Sequence, residues 1–174
     1  ILGFLILLNG LFSMSEIALV SARKARLESQ AERGDKKARL ALEMSSHPEM
    51  FLSSVQIGIT LISIVTGVYS GEKFSKDLQP VVERIELFQP YAEAISTTLI
   101  VIVVTFVSII FGELIPKRIG LIRSEKIAKA VAGPMRLFAR IFHPIVWLLN
   151  KTSNLFFRIF NIRRMKEDAV TEEE

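Results

Sequence analysis

Three short motifs hold oxygen-bearing or ionisable side chains inside, or at the rims of, runs too apolar for a soluble protein. They are Ser13-Met14-Ser15-Glu16, Gln56-Ile57-Gly58-Ile59-Thr60 and Gly112-Glu113-Leu114-Ile115-Pro116-Lys117. Such groups are costly at membrane depth unless they line a cavity, so three clusters of them point to a binding or permeation site for an ion. Pro116 has no amide hydrogen and its ring clashes with the carbonyl four residues back, so a helix running through it frees the carbonyl oxygen of Gly112. Glu113 stands beside that carbonyl, and a carboxylate with main-chain oxygens suits a hard cation such as Mg²⁺. The competing reading pairs Glu113 with Lys117, four residues on, at the interface.

Gly58 with Thr60 and Ser63 marks a place where a second helix could loosen and offer main-chain and hydroxyl oxygens. Residue types alone favour the plainer reading, close helix packing through small residues. Ser13, Ser15 and Glu16 fall near one end of a first helix. There Glu16 could be a ligand, a proton acceptor, or a partner for Arg23 or Lys117, since a rim charge snorkels at little cost. Asn9, one or two turns farther in, is a weaker candidate of the same kind.

Other chemistries find little footing. The chain has 174 residues, half of them hydrophobic, and no cysteine, so neither disulfides nor thiolate metal sites are available. The two histidines, His47 and His143, each precede a proline and lie far apart, which is no transition-metal pattern. No phosphate loop, nucleophile elbow or nucleophile–base pair is visible, so an enzyme is disfavoured.

The elements that must carry these motifs follow from the charge pattern. Ile1 to Val20 holds one charge, Glu16, and is about one bilayer long. It has neither an initiator Met nor a basic leader region, so it reads as a first span within a longer chain, not as a signal peptide. Arg23 to Arg39 carries seven basic and three acidic residues, with Leu27, Ala31, Ala38 and Leu42 at helical spacing, and predicts an amphipathic helical hairpin turned at Gly34-Asp35. A second span is expected over Met50–Gly71, 22 residues without charge, entered through Pro48. Glu72–Glu93, with five acidic and three basic residues and two prolines, reads as an external loop containing a short helix. Ala94–Gly112 is a third span of 19 uncharged residues.

After Gly112 the chain turns basic again, so the two basic blocks are expected on one side, the cytoplasm, with the N-terminus outside. Residues 134–160 are apolar around Ile145–Leu149 yet carry Arg136, Arg140, His143, Lys151 and Arg158. Helices lying in the cytoplasmic interface, with cations at anionic headgroups, fit better than a fourth span. The same argument reads the basic hairpin as a lipid-facing surface and excludes nucleic acid as a partner. The acidic stretch from Glu167 to Glu174 is expected to begin a linker.

At these motifs the sequence resembles the transmembrane domain of the CNNM/CorC family of magnesium-efflux and cyclin-M-like proteins, whose bacterial members are often labelled hemolysin-like. The matching residues are Asn9, Phe12 to Leu19, Gln56 to Leu61 and Gly112 to Lys117. The resemblance implies an all-α membrane protein, a homodimer of three spans per subunit with a belt of cytoplasmic juxtamembrane helices. Residues 1–162 would form the transmembrane domain, and 163–174 would begin the linker to ATP-binding CBS domains and a C-terminal domain outside this chain. It also implies partly dehydrated Mg²⁺ in a polar cavity. The ligands would come from Ser13 or Ser15, from Gly58, Ile59, Thr60 and Ser63, and from Gly112 and Glu113, with Glu16, Gln56 and Pro116 shaping the helices or coupling them. Ile59 and Ser63 stand where many members have asparagines, which thins the ligand set.

The function expected is therefore magnesium export, with an inward Na⁺ flux as the coupling. A magnesium-sensing membrane regulator shares every residue named. A pore-forming toxin is the weakest rival, since it must be soluble before insertion.

Overall fold

The computed structural model describes residues 1–46 and 48–160. These form helices joined by tight turns: α1 (Leu2–Ser21), α2 (Lys24–Glu32), α3 (Lys36–Ser46), α4 (Pro48–Val82), α5 (Ala92–Ile109), α6 (Ile115–Ile122) and α7 (Ser124–Ile159). A 3₁₀ turn, Glu86–Tyr91, precedes α5, and one π turn, Ile110–Leu114, joins α5 to α6. Three helical stretches among the described residues are long and apolar enough to cross a bilayer: Leu2–Ser21, Pro48–Val82 and Glu86–Ile122. The chain is thus all-helical over its described residues, and α7 does not meet the same criterion of length and composition. The acidic tail, the 163–174 linker boundary and His47 lie outside the described residues.

The α2–α3 hairpin turns where glycine and aspartate predict it. Gly34 takes φ of 91°, a left-handed conformation that glycine adopts without a Cβ clash. Its N–H donates to the Ala31 carbonyl and the Asp35 N–H to that of Gln30, which closes the end of α2. Asp35 then caps α3, its Oδ1 accepting from the N–H groups of Lys37 and Ala38 at 2.9 and 3.1 Å. Its Oδ2 receives Lys129 Nζ at 3.0 Å, tying the hairpin to α7.

Two segments differ from expectation. Residues 72–82, read as loop, continue α4 as helix straight through Pro80. Side chains one turn apart meet there: Glu72 pairs with Lys76 at 3.9 Å, and Gln79 donates to Glu83, just past the helix end, at 2.8 Å. Such i,i+4 pairs support a helix in water, and charge density alone cannot tell that from a loop. The third span likewise does not stop at Gly112 but carries helix through Pro116 to Ile122.

An apolar core is centred on the basic end, where α2, α3 and α7 meet the ends of α1 and α4. It contains Leu19, Leu27, Ala38, Ala41, Phe51 and Ala128, among others. Its many alanines let five helices approach closely. The two basic blocks therefore do share one end, linked by Arg26–Glu125 at 3.6 Å, Lys129–Asp35 at 3.0 Å and Arg136–Glu43 at 3.1 Å. Farther along, α1 lies against the third span through glycines. Gly10 abuts Pro116 and the Phe111 oxygen, Gly112 abuts Asn9 and the Ile6 oxygen, and Gly120 abuts Ile17 and the Met14 oxygen.

A Cβ on Gly120 would stand 2.8 Å from the Met14 carbonyl, a backbone atom that cannot rotate away. Gly120→Ala is expected to pry α6 from α1 and to destabilise the fold by about 1–3 kcal/mol, measured as a lowered melting temperature in detergent. The Lys129 ammonium, with the capped amides, holds the Asp35 carboxyl below the usual carboxylate range. A group shifted down in the folded state adds stability that is present at neutral pH and is lost as pH falls through its folded pKa. Asp35→Asn should therefore melt lower at neutral pH and lose less stability on acidification than the parent chain, read from melting curves between neutral pH and about pH 3.

Candidate ion-binding cavity

Between the three spans lies a cavity of about 190 Å³. Its polar lining comes from every span: Asn9 of α1, Ser63 and Thr66 of α4, Thr105 and Ser108 of α5, and Glu113 of the π turn. Asn9 and Ser108 each carry a buried oxygen, Oδ1 and Oγ, with no hydrogen-bond partner. Unmet acceptors in a low-dielectric interior are costly, and a cation arriving there would satisfy them. Glu113 supplies the lining's one carboxylate.

The π turn places Glu113 here. Its wider ladder, with the Ile115 N–H donating to the Ile110 oxygen, inserts into the helix just before Pro116. Such turns concentrate at functional sites. The expected free carbonyl is found with a partner from another helix: Asn9 Nδ2 donates to the Gly112 oxygen at 3.2 Å, and both groups are buried. Glu113 also accepts from Lys117 Nζ at 2.6 Å, while Glu16 Oε2 lies 4.0 Å from the same ammonium. The interface pairing of Glu113 with Lys117 is therefore present, and the same carboxylate also lines the cavity.

Of the residues singled out in the sequence, Ser63 and Glu113 line the cavity, and Gly112 reaches it through Asn9. Ser13 is buried one helical turn from Asn9, outside the lining, and its Oγ has no partner. Ser15 Oγ donates back to the Leu11 carbonyl at 2.6 Å. Gly58 leaves room for Phe12 and Phe138, whose rings meet edge to face at 4.6 Å, so it serves packing. Ile59 packs against the apolar core. Gln56 and Thr60 are exposed on the outer face of α4. Glu16 sits at the Lys117 rim, and Pro116 wedges against Gly10.

Thr66, Thr105 and Ser108 were not expected. A hydroxyl inside an apolar run carries no mark of whether it faces lipid or a neighbouring helix. Asn9 did carry a signal, as the one amide in the first span. Among the described residues no group of three or more His, Asp or Glu could hold a metal, so this lining is one of amide and hydroxyl oxygens around a single acid.

The family described as the cyclin M transmembrane N-terminal domain matches residues 1–174. The chain belongs to that family. This confirms the resemblance drawn from the three motifs and, with the three long apolar helices, supports a multi-pass membrane domain. It is 47% identical to the UPF0053 protein sll0260 of a Synechocystis strain, over 98% of this chain and 38% of that protein. It is 34% identical to a polyamine export protein of Haemophilus influenzae, over 98% of this chain and 39% of that protein. The polyamine export protein of Escherichia coli K12 matches at 35%, over 98% and 38%. The chain spans about two fifths of the length of these relatives.

Removing the Asn9 side chain would take away the hydrogen bond to the buried Gly112 oxygen and open a gap beside it. Asn9→Ala is expected to cost about 1–3 kcal/mol, seen as lowered thermal stability, whereas Ser29→Ala, on the exposed face of α2, should leave it unchanged.

Proposed function

We propose that this chain is the membrane-embedded part of a cation exporter whose cargo, Mg²⁺ with part of its water shell, binds between the three spans. The observation that carries the reading is the pair of partnerless buried oxygens, on Asn9 and Ser108, around a cavity that also holds the Glu113 carboxylate. Mg²⁺ prefers oxygen ligands in near-octahedral geometry and gives up water reluctantly. One acid with amide and hydroxyl oxygens replaces only some of that water, so the ion stays loosely enough held to leave. Export against an inside-negative potential costs about 4.6 kcal/mol per divalent ion at 100 mV, and an inward Na⁺ flux through the same cavity is the coupling we favour.

The names of the polyamine export relatives support a second reading of the cargo. A primary ammonium donates three hydrogen bonds, and the same acceptors and carboxylate would take it. A magnesium-sensing regulator without transport uses the same site.

Two copies would complete the assembly. Gln56 and Thr60, continuing the line of Ser63 and Gly67 at the cavity's open side, form an exposed strip of polar or small residues along α4 suited to a facing helix of a second subunit. We place the basic end in the cytoplasm of the cell membrane by the positive-inside rule, with α7 along its interface. Lys151, stacked over Trp147 at 4.9 Å, fits the level of the headgroups. ATP would bind only in CBS domains beyond this chain, and neither enzymatic turnover nor nucleic-acid binding has support here.

Flux into sealed liposomes carrying the protein, followed with a Mg²⁺ indicator and with radiolabelled putrescine, separates the readings. Magnesium flux reduced about tenfold or more by Glu113→Gln or Ser108→Ala, equivalent to losing one contact of about 1.4 kcal/mol, is expected. Putrescine flux alone would reassign the cargo, and Mg²⁺ binding without flux would make the protein a sensor. Calorimetric Mg²⁺ affinity unchanged in a folded Glu113→Gln variant would remove the site.

A further inference from the structure

A second and larger cleft, about 530 Å³, opens where α3, the first turn of α4 and the middle of α7 meet. Its volume is in the range of small-molecule sites. The floor is apolar, formed by Met44, Met50, Phe51, Ala139 and Pro144. The rim is charged, with Arg136, Arg140 and His143 all from α7 and Glu43 from α3. Glu43 is the lining's one acid, and Arg136 Nη2 neutralises it at 3.1 Å. Arg140 is exposed and makes no ion pair among the described residues, so the rim keeps an uncommitted positive charge. The lining itself therefore describes its occupant, which has an apolar body and an anionic head.

Position narrows the choice further. The cleft sits at the basic end of the bundle, where α4 enters its charge-free run at Met50. On α7, Ile141, Ile145, Trp147 and Leu148 stand exposed next to the cationic rim, as for a helix whose side meets acyl chains. At that level the abundant molecules with a fatty body and a negative head are the phospholipids of the adjoining leaflet. A free phosphate would use the arginines and leave the apolar floor wet, which wastes half of what the cleft offers.

We propose that this cleft is a binding site for one anionic phospholipid, with the phosphate on Arg140 and Arg136 and an acyl chain along Met44, Met50 and Phe51. The lipid wedges between α7, α3 and the start of the second span, and this role does not depend on which cation the protein carries.

The test uses the purified protein in neutral detergent, titrated with phosphatidylglycerol, phosphatidylcholine or inorganic phosphate. Melting temperature and the number of lipids retained in native mass spectrometry are read in each case. Phosphatidylglycerol should raise the melting temperature and remain as one molecule per chain, while phosphatidylcholine and inorganic phosphate do neither. Arg140→Gln, an exposed position that the fold does not lean on, should weaken phosphatidylglycerol binding about tenfold, as expected for a lost charge-assisted contact. Arg84→Gln, the same charge change at an exposed position just past the far end of α4, should not. Equal stabilisation by phosphatidylcholine, or by phosphate alone, would overturn the assignment, as would an Arg140→Gln protein that binds phosphatidylglycerol like the parent.

Discussion

A carbonyl oxygen released from its helix inside a bilayer must be answered by another part of the protein, because lipid offers no donor. The Asn9 amide meets this demand by reaching the Gly112 oxygen across the α1–α5 junction. Much of the arrangement follows from that bond. It fixes the rotation of the third span about its axis and so turns Glu113 toward the cavity. It also requires Gly10, Gly112 and Gly120 where the two helices meet, since a Cβ at any of them would come within 3.2 Å of the facing helix. The amide spends its donor on the carbonyl and leaves its own oxygen buried without a partner at the cavity wall.

The features with local causes were readable from the residues alone. Gly34 and Asp35 mark a turn because one tolerates positive φ and the other caps a helix, and Pro48 marks a helix start because the first turn needs no amide hydrogen there. Charge-free runs located all three spans. The length of α4 was not readable, since Glu72 to Glu83 looks alike in a loop and in a helix whose charges pair one turn apart. Within the site, Glu113 and Ser63 stood out by type and motif. Thr66, Thr105 and Ser108 did not, because their placement depends on how three helices are rotated against each other, a tertiary fact with no local sequence trace. At Gly58 the residue types favoured close packing over the ligation that its motif position implied, and its neighbours Phe12 and Phe138 agree with packing.

The molecule divides its chemistry by height. At the basic end an alanine-rich core and cross-linked ion pairs bind the hairpin, α7 and the ends of α1 and α4 into one body, as Lys129 does by holding both Gln30 and Asp35. Nearer the middle, apolar packing thins and hydroxyls take over. Only 6% of the third span's apolar window is buried within one chain, so most of that helix faces lipid or a second subunit. A firm base with a loosely packed upper part is what a domain needs if its spans are to shift around an ion without coming apart.

The 35 residues of α4 form a rod about 52 Å long at 1.5 Å per residue. A hydrocarbon core of about 30 Å could hide all of it only at a tilt of roughly 55°, beyond the range of about 0–40° that membrane helices adopt. Its last turns, from Glu72 to Val82, therefore stand in water on the face opposite the basic belt. That projecting stub gives the protein a side-specific handle, where a fluorophore or an antibody would report which way the molecule is inserted without touching its interior.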